Sequence, residues 1–203
     1  MLRQLRFLGL GLFIGLSWDL PAPLPAIAQT VTPTSGSGDV GTVVSGTTDF
    51  TITGGSQQLN TLFHSFEDFS PSTANVLFQL DGTQSAVEQV IGRVTGSNLS
   101  LINAELRLTG GNSPDLFLIN PNGITFEDNA SLVLPGSFVT STAESVLFNN
   151  GLAFSALNPA AAPLLTISAP TGLQLGATSG NIQINNGGHL LSAGAFRDRK
   201  SVV

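Results

Sequence analysis

Apolar residues along this chain come in short runs, each stopped by Gly, Asn, Pro, Asp or Ser, the pattern of brief strands joined by tight turns. The runs predict strands at Thr42–Val44, Phe50–Thr53, Asn75–Leu80, Val90–Val94, Leu99–Leu101, Leu106–Leu108, Leu116–Ile119, Ile124–Phe126, Ser131–Leu134, Phe138–Thr140, Val146–Phe148, Leu164–Ile167, Leu173–Leu175 and Ile182–Ile184. No window keeps a 3.6-residue apolar period beyond about two turns. The nearest helical stretch, Ala86–Val90, is closed at once by Gly92. Thr30–Ser37 reads as a Thr/Ser/Pro/Gly lead-in.

The most telling run is Asp115–Phe126, DLFLINPNGITF. An unbroken apolar strand meets Asn120-Pro121-Asn122-Gly123, turns, and resumes at Ile124. A strand apolar on both faces has to be covered on both sides, and proline sits only where the ladder stops. The segment therefore predicts a corner between two buried strands. Asn120 can bond its own backbone, Pro121 presets φ for turn position i+1, and Asn122 and Gly123 tolerate the left-handed region. Ile119 and Ile124 are then both expected to point into the core. This structural reading outweighs direct partner contact for the five residues Asn120 to Ile124.

Hairpins need cleanly alternating faces, and VLFQL, LFLI and LVL do not alternate. Stacked coils fit better, because in a parallel β-helix each strand lies over its counterpart one coil earlier. The segments starting at Ile102, Ile119 and Ile167 share the order Ile, small polar residue, turn, two apolar positions, and are read as a degenerate repeat. The fold expected is all-β, a right-handed parallel β-helix with an N-terminal cap and small extra-helical β elements. Phe63, Phe66 and Phe69, with His64 and Ser65 between them, read as the bulky cap of an open coil end. The competing reading makes this stretch an exposed edge on which a partner adds a strand.

Composition narrows the function. The net charge is −6, and between residues 29 and 196 the only basic side chains are Arg93 and Arg107, too few to track phosphates. That balance gives no electrostatic reason to bind nucleic acid, and no nucleic-acid partner is expected. Residues 1–28 read as a signal peptide: Arg3 and Arg6, a short apolar stretch, and a small-x-small site ending at Ala28, with the mature chain starting at Gln29. Export permits disulfides, yet the chain has no cysteine, so packing and hydrogen bonds must hold the fold. Residues 29–53 read as lead-in and first cap strands and 54–197 as the β-helix domain. Residues 198–203 read as a non-native or truncated tail of a longer protein.

LFHSFEDF (Leu62–Phe69), IGRVTG (Ile91–Gly96), LFLINPNGITF (Leu116–Phe126) and ASLVLPGSFVTST (Ala130–Thr142) together resemble the N-terminal haemagglutination-activity domain of filamentous-haemagglutinin-type exoproteins, most closely the cyanobacterial branch. The resemblance spans roughly Gly54–Gly176. It implies a right-handed parallel β-helix that serves as a two-partner-secretion signal. It also implies recognition by the periplasmic domains of an outer-membrane β-barrel transporter, then secretion or display at the cell surface. Host or neighbouring-cell glycans or proteins would be met through regions downstream. No cofactor, metal or catalytic residue is expected.

The alternative is a secreted carbohydrate-binding or carbohydrate-active β-helix, which needs carboxylates gathered on one face. Asp115, Glu127 and Asp128 come nearest, and all flank turns, where acids are common anyway. No nucleophile elbow is present, and the GSGDVG run at 36–41 lacks the strand-to-helix setting of a dinucleotide site.

Overall fold

The computed structural model describes residues 30–149, 151–159, 170–185 and 190–191. The expected signal peptide, residues 1–28 ending at Ala28, and the expected mature start Gln29 lie outside this set. So do the strand expected at Leu164–Ile167 and the tail at 198–203.

Among the described residues four strands come first: β1 (Thr30–Pro33), β2 (Thr42–Ser45), β3 (Phe50–Gly54) and β4 (Ser56–Gln58). The first coil carries β5 (Thr61–Ser70) and β6 (Val76–Gln79), and the second β7 (Gln89–Val94), β8 (Ser100–Ile102) and β9 (Glu105–Thr109). The third holds β10 (Asp115–Ile119), β11 (Ile124–Phe126) and β12 (Ser131–Val133). The fourth begins with β13 (Phe138–Ser141). It then leaves the coil for an antiparallel excursion, β14 (Ser145–Phe148), β15 (Ala153–Ser155) and β16 (Pro170–Gln174), and returns as β17 (Ile182–Ile184) and β18 (Leu190–Leu191).

Parallel pairing builds three sheets along this solenoid. One face stacks β5, β7, β10 and β13, a second β8, β11 and β17, and a third β3, β6, β9, β12 and β18. The protein is a parallel β-helix, as the stacked-coil reading expects. Partners bonded between successive coils are 28, 26 and 22 residues apart in sequence, so the coil length shrinks along the chain. The lumen holds one continuous apolar column on each face, including Leu62, Val90 and Leu116 in register, with Ile124 and Phe126 on the second face. The bare N-terminal end is trimmed by antiparallel strands: β1 and β4 pair with β5, and β2 pairs with β3.

Four expectations are corrected. Thr30–Pro33 is a paired strand, because its amides and carbonyls have the free edge of β5 to bond. Ala86–Val90 is not helical: the Glu88 amide donates to the Asn60 carbonyl at 2.8 Å and the Val87 carbonyl accepts from Asn112 at 2.7 Å, so neighbouring coils take the groups a helix would need. The Ile102 and Ile119 segments do not stack. Ile102 pairs with Phe126 in the lumen of the second face, whereas Ile119 pairs with Arg93 and Ser141 on the first. Ile119 also points away from the lumen, into a second core on the outer face of the first sheet.

That second core explains why the first face is apolar on both sides. Phe63, Ile91, Phe117 and Ile119 project outward from β5, β7 and β10 and are roofed by Val146, Phe148 and Phe154 of the excursion. Phe63 meets Phe154 at 4.9 Å and Phe148 at 5.9 Å, both edge to face.

Candidate functional site

Alternation along β5 sends Leu62 inward and Phe63 outward, then His64 inward and Ser65 outward. Phe66 and Phe69 both lie in the lumen although three residues apart, because the register against β1 slips there: Thr32 pairs with Asp68 and Pro33 with Phe66. The three phenylalanines are therefore core, but they serve two different cores. Both edges of β5 are taken, by β7 on one side and by β4 and β1 on the other. The amide of Ser65, between the last two, donates to Thr42 Oγ1 at 2.9 Å. In the folded protein no added strand can pair with β5.

The NPNG corner works largely as its chemistry predicts. Asn120 is fully buried and its Oδ1 accepts from the Asn122 amide at 3.0 Å, while the Gly123 amide donates to the Asn120 carbonyl at 3.1 Å, closing the turn. Gly123 has φ +122°, where a side chain is strained, and a Cβ there would sit 3.2 Å from the Asn181 carbonyl oxygen. Asn122 does not adopt the left-handed conformation. Its side chain instead donates to the Gly96 carbonyl at 2.8 Å. Asn120 Nδ2 reaches back to the Asn98 carbonyl at 3.0 Å and Ser100 Oγ at 2.9 Å, so the corner is bolted to the coil before it. The coil after it closes from above, with the Gly180 amide on the Pro121 carbonyl and the Ile124 amide on that of Asn181. Pro121 is buried rather than a loop tip, and Ile124 points into the lumen.

Arg93 is the residue the sequence pattern did not single out. Its side chain is 1% exposed on the outer face of β7. Nε donates to Ser65 Oγ at 2.9 Å, Nη1 to the Ser155 carbonyl at 2.6 Å, and Nη2 to the carbonyls of Gly38 at 3.1 Å and Pro159 at 3.2 Å. The guanidinium lies 4.0 Å from the centre of the Phe154 ring. Burial pushes its pKa down to about 10, which leaves it charged at neutral pH. One side chain thus fastens the N-terminal segment, the β-helix wall and the excursion. Gly38 must be glycine for this junction, since a Cβ would lie 2.7 Å from Pro159 Cβ. The signal available in sequence was an arginine inside the apolar strand IGRV.

His64 hangs in the lumen with Nδ1 unpartnered, and burial lowers its pKa to about 3. On the surface, a shallow groove of about 460 Å³ is lined by Asn75, Asn103, Asn129, Ser131 and Glu105 among others. Its amides serve the corners: Asn75 Oδ1 accepts from the Glu105 amide and Asn103 Oδ1 from that of Asn129. Glu105 is ion-paired with Arg107 at 2.8 Å. Among the described residues no cluster of His, Asp or Glu could hold a metal ion.

The distinctive side chains of this β-helix are buried in its corners, walls and junctions. The family model of the TPS secretion domain matches residues 27–200, and the chain belongs to that family. It is the secretion domain of a two-partner-secretion exoprotein. Such exoproteins cross the outer membrane with the help of a transporter of that membrane. No curated protein matches the chain.

Proposed function

We propose that this domain is the secretion signal of a filamentous-haemagglutinin-like adhesin, of the cyanobacterial branch, and that the periplasmic domains of its barrel transporter read it before it folds. The supporting observation is the burial of the segments that carry the family resemblance. Phe63, His64, Ser65, Phe66 and Phe69 are all enclosed, both edges of β5 are paired, and the outer face of the sheet is roofed by the excursion. A partner that pairs with LFHSF, or that touches Phe63 or Ile119, has access to them in the extended chain alone. Strand addition to an extended segment is the recognition mode with the right chemistry, and folding of the β-helix at the cell surface then withdraws the segment and releases it.

The test uses a reversible lock. Thr34 Oγ1 and Thr95 Oγ1 lie 2.8 Å apart, bridging the lead strand and the end of β7, so T34C/T95C places two thiols in reach of each other in the folded state, and a bond formed there under native conditions pins the lead strand to β7. The reduced double variant is expected to bind the purified periplasmic domains when held in urea-unfolded or freshly diluted form, and the oxidised, folded form is expected not to bind. Equal binding by the oxidised form would show that recognition uses the folded surface and would end this reading.

A further inference from the structure

The lumen of a β-helix is its most apolar space, and His64 places an imidazole in it. The ring occupies a cradle made by missing side chains. A Cβ on Gly55 would lie 2.9 Å from His64 Cε1 and 3.1 Å from Nδ1, and the strand neighbour of His64 on β7 is Gly92. Phe66 stacks beside the ring at 6.2 Å and Phe78 meets it edge on at 5.8 Å. Nδ1 has no hydrogen-bond partner. Leaving a buried polar atom unpaired disfavours the folded state, and packing alone would be served by a plain aromatic ring. The nitrogen is therefore a feature for which the folded state gives no reason.

We propose that His64 is an acid-sensitive latch: its ring must be neutral for the N-terminal cap to close, so acidic surroundings weaken the closed cap and shift the domain toward its unfolded, transport-ready form. No countercharge faces the ring from any element around it. Phe66 on its own strand, Phe78 on β6, Gly55 before β4 and Gly92 on β7 are all uncharged. Arg93 on β7 points to the opposite face of the sheet, Glu67 is exposed, and the Asp68 carboxylate is turned outward, where it accepts from Asn98 Nδ2 at 2.7 Å. Gln84, which ties the chain next to Gly55 by donating to the Gly54 carbonyl at 3.1 Å, does not titrate.

The sign follows from a folded-state pKa lowered to about 3 against about 6.5 in the unfolded chain. The folded state binds this proton poorly, so His64 does not oppose folding above about pH 6.5, and opposes it increasingly as pH falls toward 3. Between pH 7.5 and pH 5.0 the linkage reduces the folding equilibrium constant about 30-fold through this one group. The latch deepens the reading of the domain as one that is transported unfolded, but its test needs no transporter.

Urea unfolding of the purified chain at the two pH values is compared for wild type, H64F and H64Q. The wild type is expected to lose about 30-fold more in its folding equilibrium constant than either variant, because neither replacement side chain titrates in this range. An equal loss in all three overturns the latch. Proton NMR of the wild type gives an answer that does not depend on any variant folding. The chain has two histidines, and a His64 ring that titrates near pH 6.5 in the folded state overturns the proposal, whereas one that stays neutral to below pH 5 supports it. A failed latch with an intact T34C/T95C result would leave the transport reading standing, and the reverse outcome would leave the latch standing.

Discussion

Single residues at the corner and at the outer junction carry disproportionate weight because each satisfies groups from several coils at once. Gly123→Val forces a branched side chain onto φ +122° and against the Asn181 carbonyl. The expected loss is about 1–3 kcal/mol, read as a lower urea midpoint at unchanged slope, with secretion reduced in proportion. Arg93→Met removes five donors and leaves the carbonyls of Gly38, Ser155 and Pro159 facing apolar atoms. At roughly 1–3 kcal/mol for each buried group left unpaired, this variant is expected to fall by several kcal/mol. Arg93→Lys, which keeps the charge but cannot fork to three segments, is expected to recover only part of the loss in the same measurement.

At the level of elements, the excursion β14–β16 behaves as a lid on an apolar wall. Its anchor is Phe154, which is fully buried, packs on Phe63 and carries the Arg93 guanidinium on its face. Phe154→Ala is expected to cost about 3–5 kcal/mol by cavity formation. Because the wall behind it displays Phe63, Ile91 and Ile119, the variant is also expected to bind a hydrophobic dye under conditions where the wild type does not. A variant that loses stability without gaining dye binding would show that the excursion stays docked without its anchor. The β5 strand, bonded along both edges, is expected to hold the slowest-exchanging amides of the chain by hydrogen exchange.

For the whole molecule, the decisive property is that stability is assembled from contacts between coils with no covalent brace. The chain has no cysteine, so no disulfide within it can trap a folded form. The hydrogen bonds of Arg93 join residues 55, 62 and 66 positions apart, so the outer junction forms only when the N-terminal segment and the excursion are both on the same side of the membrane.

Much of this architecture was written in the chain. Turn residues marked most strands of the coils, though not β5 or β18, because Gly, Pro and Asn stop a ladder by local chemistry that needs no neighbour. The NPNG corner was legible for the same reason: its Asx bond and its one left-handed glycine are local. Zero cysteine and the lone arginine in IGRV were legible too, though only the first had an evident meaning. Tertiary structure decided the rest. Alternation divides a strand into two sets of side chains but does not say which set faces the lumen when both are apolar, so Ile119 fell on the outer wall and Phe63 parted from Phe66 and Phe69. Coils of unequal length hid the true stacking behind a false Ile102–Ile119 repeat. The partners of Arg93 and the cradle of His64 come from segments far apart in sequence, and no local rule brings them together until the coils have stacked.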